Sequence, residues 1–245
     1  MTHYAIDSLA ASLDGALSVS RNKVSVTHPA RLRARIDLLA ERSALAKGAE
    51  QGAARWLIWE AALALGIVPS SINELYAARG AGKTPTNFTV PAMNLRALTF
   101  DCARAVFRVA AGMDAAALLF EIARSEIGYT DQRPAEYTAS ILAAAIKEGY
   151  SGPVFLQGDH FQINAKKYAQ DPEGEVKAVR DITAEALAAG FFNIDVDTST
   201  LVDLSQATIP EQQASNYGRC AELTAFIRGL EPKGITISVG GEIGE

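Results

Sequence analysis

The stretch Pro153-Val154-Phe155-Leu156-Gln157-Gly158-Asp159-His160 decides how this chain reads. An apolar run from Pro153 to Gln157 ends in a glycine, a carboxylate and an imidazole. A short apolar run bounded by turn residues is the pattern of a strand buried on both faces. On either side lie segments of helical period. Pro134 to Glu148 precedes the run. Glu173 to Ala189 follows it, with Val176, Val179, Ile182 and Leu187 returning to one side. A strand set between helices predicts βαβ units and a parallel sheet.

The alternation continues in both directions. Strands are expected at Phe88 to Ala92, Ala116 to Glu121, Phe192 to Val196 and Ile235 to Val239, with further helices at Leu98 to Ala111 and Glu211 to Leu230. Each repeat takes roughly 30 residues, the size of a unit in a (β/α)8 barrel. The expectation is therefore an α/β fold, a (β/α)8 TIM barrel occupying residues 86 to 245 with only about its first five β/α units present. The chain ends at Glu245 directly behind the last strand, which reads as a barrel fragment rather than an open sheet.

Residues 1 to 85 have a different character. Ala30 to Lys47 places Leu32, Ile36, Leu39 and Leu45 near one stripe, and Ala53 to Leu65 stops at Gly66 and Pro69. Ser70 or Ser71 is placed to cap a short third helix through Tyr76, after which Gly80 to Pro85 reads as a loop. This part is expected to be an N-terminal helical extension. Gly80-Ala81-Gly82-Lys83-Thr84 imitates a phosphate loop, but Ala77 stands where its first glycine is needed, and a helix precedes it.

The composition is that of a globular protein: 245 residues, 49% hydrophobic and 21% charged. A net charge of -5 disfavours nucleic acid or a membrane surface as partner, because both select clustered Lys and Arg. The longest apolar run, Trp56 to Val68, contains Glu60 and is too short to span a bilayer. The first residues lack a secretory pattern, and Cys102 and Cys220 form no CxxC pair, so a cytoplasmic protein without a disulfide framework is expected. Trp56 and Trp59 are expected to pack their helix on the barrel or on a second copy in a homo-oligomer. His3 and His28 read as solvated side chains.

In a parallel α/β sheet the site lies beyond the carboxyl ends of the strands. Those ends carry Asp159 and His160, then Asp195 within Asn193-Ile194-Asp195-Val196-Asp197, then Glu242 within Gly240-Gly241-Glu242. Singly, each would read as a helix cap or a surface residue. Together, on consecutive strand ends and beside glycines that permit a sharp turn, they form a candidate site. Imidazole combined with carboxylates suits zinc or a similar divalent ion acting as Lewis acid.

These motifs resemble the class II, metal-dependent fructose- and tagatose-bisphosphate aldolases. Leu156-Gln157-Gly158-Asp159-His160 looks like that family's strand-end Asp-His. Phe192-Asn193-Ile194-Asp195 with Thr198-Ser199-Thr200-Leu201 is similar to its fourth-strand segment, and Ser238-Val239-Gly240-Gly241-Glu242-Ile243-Gly244 to its fifth-strand Glu-Leu-Gly motif. Thr89-Val90-Pro91-Ala92-Met93-Asn94 is similar to its first strand, which also ends in Asn. The resemblance covers about residues 86 to 245.

The resemblance implies a role for each matching residue. His160 would be a ligand of Zn2+ or another divalent metal, with Asp195 and Glu242 lining a second or alternative metal position. Asp159 would be the general acid/base and Asn94 a substrate-binding residue. The substrate would be a phosphorylated sugar, a ketose 1,6-bisphosphate cleaved reversibly to dihydroxyacetone phosphate and an aldehyde. The metal would polarise the ketone, so no lysine Schiff base is required. The family's two further metal-binding histidines and its phosphate loops belong to later strands, and its second-strand serine has a counterpart only in Ser125. The stretch Leu119 to Thr130 also looks like the larger tagatose-bisphosphate aldolase partner subunits, which implies the alternative of a non-catalytic barrel subunit.

Overall fold

Strands alternating with helices build a mixed α/β fold with a parallel sheet. The structure is a computed structural model and describes residues 3–21, 23–115 and 117–244. The chain opens with α1 (His3–Ser12), the hairpin β1 (Leu17–Ser20) and β2 (Lys23–Val26), then α2 (Pro29–Leu45), α3 (Gly48–Ala64), β3 (Ile67–Ser70) and α4 (Asn73–Gly80). It continues through β4 (Ala92–Asn94), α5 (Thr99–Gly112), β5 (Leu119–Ala123), α6 (Arg124–Thr130), α7 (Pro134–Glu148) and β6 (Gly152–Asp159). The last elements are α8 (Ala165–Gln170), α9 (Pro172–Ala188), β7 (Asn193–Val196), α10 (Ile209–Gln212), α11 (Ala214–Arg228) and β8 (Ser238–Gly241). One sheet has the strand order β4-β5-β6-β7-β8, with β3 paired to β6, while β1 and β2 pair antiparallel with each other.

The chain forms two compact units. The first comprises Met1–Pro69, Leu95–Phe120 and Gln132–Val154, and the second Ser70–Asn94, Glu121–Asp131 and Phe155–Glu245.

The first unit is organised around α7. Every residue from Tyr137 to Ile146 is buried, and α2, α3 and α5 all pack against this helix. A helix that is apolar on all sides must be enclosed by its neighbours. Its alanines, Ala139 and Ala143 to Ala145, let those neighbours approach closely. Gly149 ends the helix at φ 74°, the left-handed conformation that glycine adopts without steric cost.

The second unit carries the carboxyl ends of the strands. Its register places Gln157 opposite Asn193, Gly158 opposite Ile194, Asp195 opposite Gly240 and Val196 opposite Gly241. In parallel strands of matched register the ends fall on one edge, and the residues after β6, β7 and β8 share that edge. The buried Asn193 locks this arrangement: its Oδ1 accepts the Ile72 N–H at 2.8 Å and its Nδ2 donates to the carbonyls of Leu156 (2.9 Å) and Ser70 (3.2 Å).

Several boundaries differ from those read in the sequence. The first expected strand, Phe88 to Ala92, is shifted: β4 begins only at Ala92 and ends at Asn94. The strand expected from Ala116 is β5, which starts at Leu119; Ala116 itself lies outside the described residues. The expected helix Glu211 to Leu230 is interrupted at Gln213, where α10 ends and α11 begins. Residues 1 to 85 are not purely helical, since they also supply a hairpin and β3. Ile67-Val68-Pro69-Ser70 had the look of a helix stop because of Gly66 and Pro69, yet a proline is compatible with a strand at a sheet margin. No helix among the described residues is long and apolar enough to cross a membrane.

Candidate metal centre

The backbone that follows β6 shapes the site. Instead of leaving the sheet, the chain stays beside β7: Phe161 N–H donates to the Asp195 carbonyl at 3.0 Å and Ile163 N–H to the Asp197 carbonyl at 2.9 Å. Phe161 and Ile163 are fully buried, which anchors the segment and leaves the intervening side chains facing away. The sharp turn falls on His160 itself, at φ 43°. The sequence had suggested that a neighbouring glycine would make that turn. Gly158 serves another purpose, because a Cβ there would meet the Phe161 ring at 2.6 Å. A left-handed non-glycine residue costs on the order of 1 kcal/mol and is held in place by the packing around it.

The turn directs the His160 imidazole into a ring of carboxylates. Nδ1 lies 3.2 Å from Asp197 Oδ2, 3.4 Å from Glu242 Oε1 and 3.7 Å from Asp195 Oδ2, while Nε2 lies 3.9 Å from Asp159 Oδ2. The backbone N–H of His160 also donates to Asp195 Oδ2 at 3.2 Å. Asp159, His160, Asp195 and Glu242 are thus brought together, as the strand-end reading expected. Two overlapping groups have the composition of a metal site: Asp159, His160 and Asp195, and His160, Asp197 and Glu242.

Asp197 is the residue that sequence reasoning passed over. It is buried and accepts from Ser199 N–H (3.1 Å), Ser199 Oγ (2.6 Å) and Gln162 Nε2 (2.5 Å). Burial pushes its pKa up, but the hydrogen bonds from Ser199 and Gln162 outweigh that and hold it below the ordinary aspartate range. A carboxylate kept ionised beside Nδ1 favours the N–H of that nitrogen and orients the ring. Its signal was present in the sequence: in an extended segment Asp197 points to the same face as Asp195.

The other carboxyls experience the opposite balance. Burial, reinforced by Asp159, raises Glu121 from 4.5 to about 7. Burial, reinforced by Glu242, raises Asp195 from 3.8 to about 6. Asp159 is also raised, mainly by burial, with Glu126 and Asp197 adding to it. For His160 burial opposes the charged form, yet Asp159, Asp197, Glu242 and Asp195 together prevail and raise its pKa. Glu121 was likewise passed over, although a carboxylate inside the apolar run Leu119-Phe120-Glu121-Ile122-Ala123 is itself a signal. It accepts from Gln157 Nε2 at 3.0 Å.

Asn94 is linked to the group indirectly. Its Nδ2 donates to Glu126 Oε2 at 2.8 Å, and the same oxygen accepts the Ala123 N–H at 2.9 Å. The charge of Glu126 in turn bears on Asp159 and Glu121. Cys102 and Cys220 are unpaired thiols. His28 is exposed at the start of α2, and the side chain of His3 lies outside the described residues.

The donor set fits a divalent cation. One imidazole and several carboxylates that repel one another are the ligands zinc and related ions take. Ligand atoms around a tetrahedral ion stand roughly 3.4 Å apart when each bond is about 2.1 Å. With Nδ1 turned to Asp197, Nε2 is the nitrogen left for a metal, and its 3.9 Å separation from Asp159 Oδ2 is near that size. No protein-family model matches this chain, and no curated protein matches it.

Proposed function

We propose that this chain is a metal-dependent ketose-bisphosphate aldolase in which residues 86 to 245 belong to a (β/α)8 barrel. The observation that carries this reading is the convergence of Asp159, Asp195 and Glu242, from the ends of successive strands, on the imidazole of His160. The strand order β4-β5-β6-β7-β8, which follows the order of the chain, supports the barrel part of the reading.

His160 would hold the metal together with carboxylates of the ring, and Asp197 would fix the imidazole through Nδ1. A bound Zn2+ or similar ion would supply Lewis-acid polarisation of the substrate ketone. Asp159 would handle the proton. The substrate hydroxyl gives its proton to the Asp159 carboxylate as the carbon–carbon bond breaks. The aldehyde departs, and the electron pair stays on the three-carbon half, which takes up a proton to become dihydroxyacetone phosphate. A base needs a pKa near the working pH, and the raised pKa of Asp159 moves it in that direction. Asn94 would contact substrate, and Glu126 would orient its amide.

The test is release of dihydroxyacetone phosphate from fructose and tagatose 1,6-bisphosphates by the purified protein. Cleavage that a chelator abolishes and zinc restores supports the reading, and His160→Ala should then lower kcat/KM by at least about 100-fold. A folded, metal-replete protein that cleaves neither sugar overturns it in favour of a barrel subunit that supports a catalytic partner.

A further inference from the structure

The loop after β8 carries Glu242 to the imidazole, yet its own side chains do little to keep it there. Gly241, Glu242 and Ile243 are exposed, Ile243 by 84%, so no apolar side chain of these three anchors the segment. Glu242 also meets repulsion from Asp195 in the same ring. Such a segment is ordered only as far as its backbone hydrogen bonds hold it.

Those bonds come from two side-chain amides at the start of α11. Gln213 stands where α10 ends and α11 begins, and it closes on Gly244 from both sides. Its Nε2 donates to the Gly244 carbonyl at 2.5 Å, and its Oε1 accepts the Gly244 N–H at 3.3 Å. Asn216 Nδ2 donates to the Glu242 carbonyl at 2.9 Å and to Gln213 Oε1 at 2.9 Å, one hydrogen for each. Asn216 is buried, and the buried Thr198 Oγ1 donates to its Oδ1 at 2.6 Å. Both amides are therefore fixed in one orientation. Gly244 fits closely on the segment after β7: a Cβ there would collide with the Ser199 carbonyl and come within 2.6 Å of Val202.

We propose that Gln213 and Asn216 are positioning residues, which together clasp the loop after β8 and hold the Glu242 carboxylate against His160. Glu242 Oε1 stands 3.4 Å from Nδ1, the nitrogen that also meets Asp197. Thr198, the neighbour of Asp197 in the chain, belongs to the same network. The clasp thus ties the loop after β7 to the loop after β8 and sets together the two carboxylates nearest Nδ1. The effect on metal binding rests on the reading proposed above; the clasp itself is independent of it.

The test has two arms, both on the full chain. In excess chelator, amide hydrogen exchange is followed in residues 238 to 244. Gln213→Ala should speed exchange there about tenfold, the effect of a lost hydrogen bond, while α7 and α9 exchange as in the parent. Gln213 is only half-buried, so this variant should fold. In the second arm, competition with a chromophoric chelator gives the zinc affinity. Gln213→Ala and Gly244→Ala open the clasp from opposite sides, and each should weaken zinc about tenfold, as the loss of a supporting partner does. In a Glu242→Ala background neither should weaken it further, because residues that act through Glu242 then have nothing to position. Unchanged exchange in Gln213→Ala overturns the proposal, as does faster exchange that leaves zinc affinity unaltered. A zinc loss of equal size in the Glu242→Ala background also overturns it, since a merely structural role gives that result. A parent that binds no zinc overturns the metal and aldolase reading, and the exchange arm then decides the clasp. A protein that binds zinc through Glu242 but cleaves no sugar loses the aldolase reading and keeps the clasp.

Discussion

The buried carboxylate of Asp197 stands 3.2 Å from Nδ1 of His160 and holds the imidazole at the centre of the carboxylate ring. This pairing leaves Nε2 on the side of Asp159, 3.9 Å away. Asp197 therefore acts through His160 rather than on a ligand directly. Asp197→Asn should weaken zinc binding about 10- to 100-fold, the range seen when a partner of a metal-binding histidine is lost. Competition with a chromophoric chelator measures it. His160→Ala should remove most of the remaining affinity, and an unchanged zinc affinity in Asp197→Asn would refute the orienting role.

The pKa values predict how the metal-free protein responds to pH. Glu121 at about 7 and Asp195 at about 6 bind protons more tightly folded than unfolded. A raised carboxyl stabilises the fold below its unfolded pKa, and that contribution is lost as pH rises through the folded value. The raised pKa of His160 acts with the same sign. Denaturant unfolding in chelator should therefore give lower stability at pH 8 than at pH 5, by on the order of 1 to 2 kcal/mol after solvent screening. Glu121→Gln should flatten that slope, and saturating zinc should offset it. Stability that rises across this range would contradict the electrostatic picture.

Gly158→Ala tests the packing that sets the turn. The added Cβ would lie 2.6 Å from the ring of the fully buried Phe161. Overpacking of this kind costs about 1 to 3 kcal/mol, read as a lower denaturant midpoint with an unchanged m-value. The displaced ring should also shift His160, so zinc affinity should fall together with stability.

Arg124→Met isolates the buried ion pair. Glu175 is held below its ordinary pKa, against burial, mainly by the hydrogen bond from Arg124. Without Arg124 its carboxylate is buried without its hydrogen-bonded ion-pair partner, a loss of about 3 to 5 kcal/mol. The double variant Arg124→Met, Glu175→Leu should recover most of that in thermal unfolding, because the two changes are coupled.

Much of this was legible before any fold was in hand. Short apolar runs located β6 and β7, and the 3.6-residue period located α7 and α9, within a few residues, because burial demands apolar side chains on the faces that pack. Asp159, His160, Asp195 and Glu242 were readable for a related reason: in a parallel sheet the strand ends share an edge, so residues distant in sequence become neighbours once the strands are recognised. Strand β3 was missed because Gly66 and Pro69 read as a helix stop, and the hairpin β1–β2 because its short strands precede the strand–helix alternation that marked the others.

What the sequence by itself determined is the α/β alternation and the set of polar groups delivered to one edge, since both follow from local period and strand polarity. Only the tertiary structure decided which of those groups touch and in what charge state. Asp195 and Asp197 are the same residue type on the same strand segment, yet one is raised to about 6 and the other lowered. The difference is that Asp197 accepts from nearby Ser199 and from Gln162, which reaches it because the chain beyond β6 turns at His160 and lies along β7, whereas burial and the facing Glu242 raise Asp195. A pKa is set by desolvation and by neighbours within a few ångströms, and those are properties of the folded arrangement.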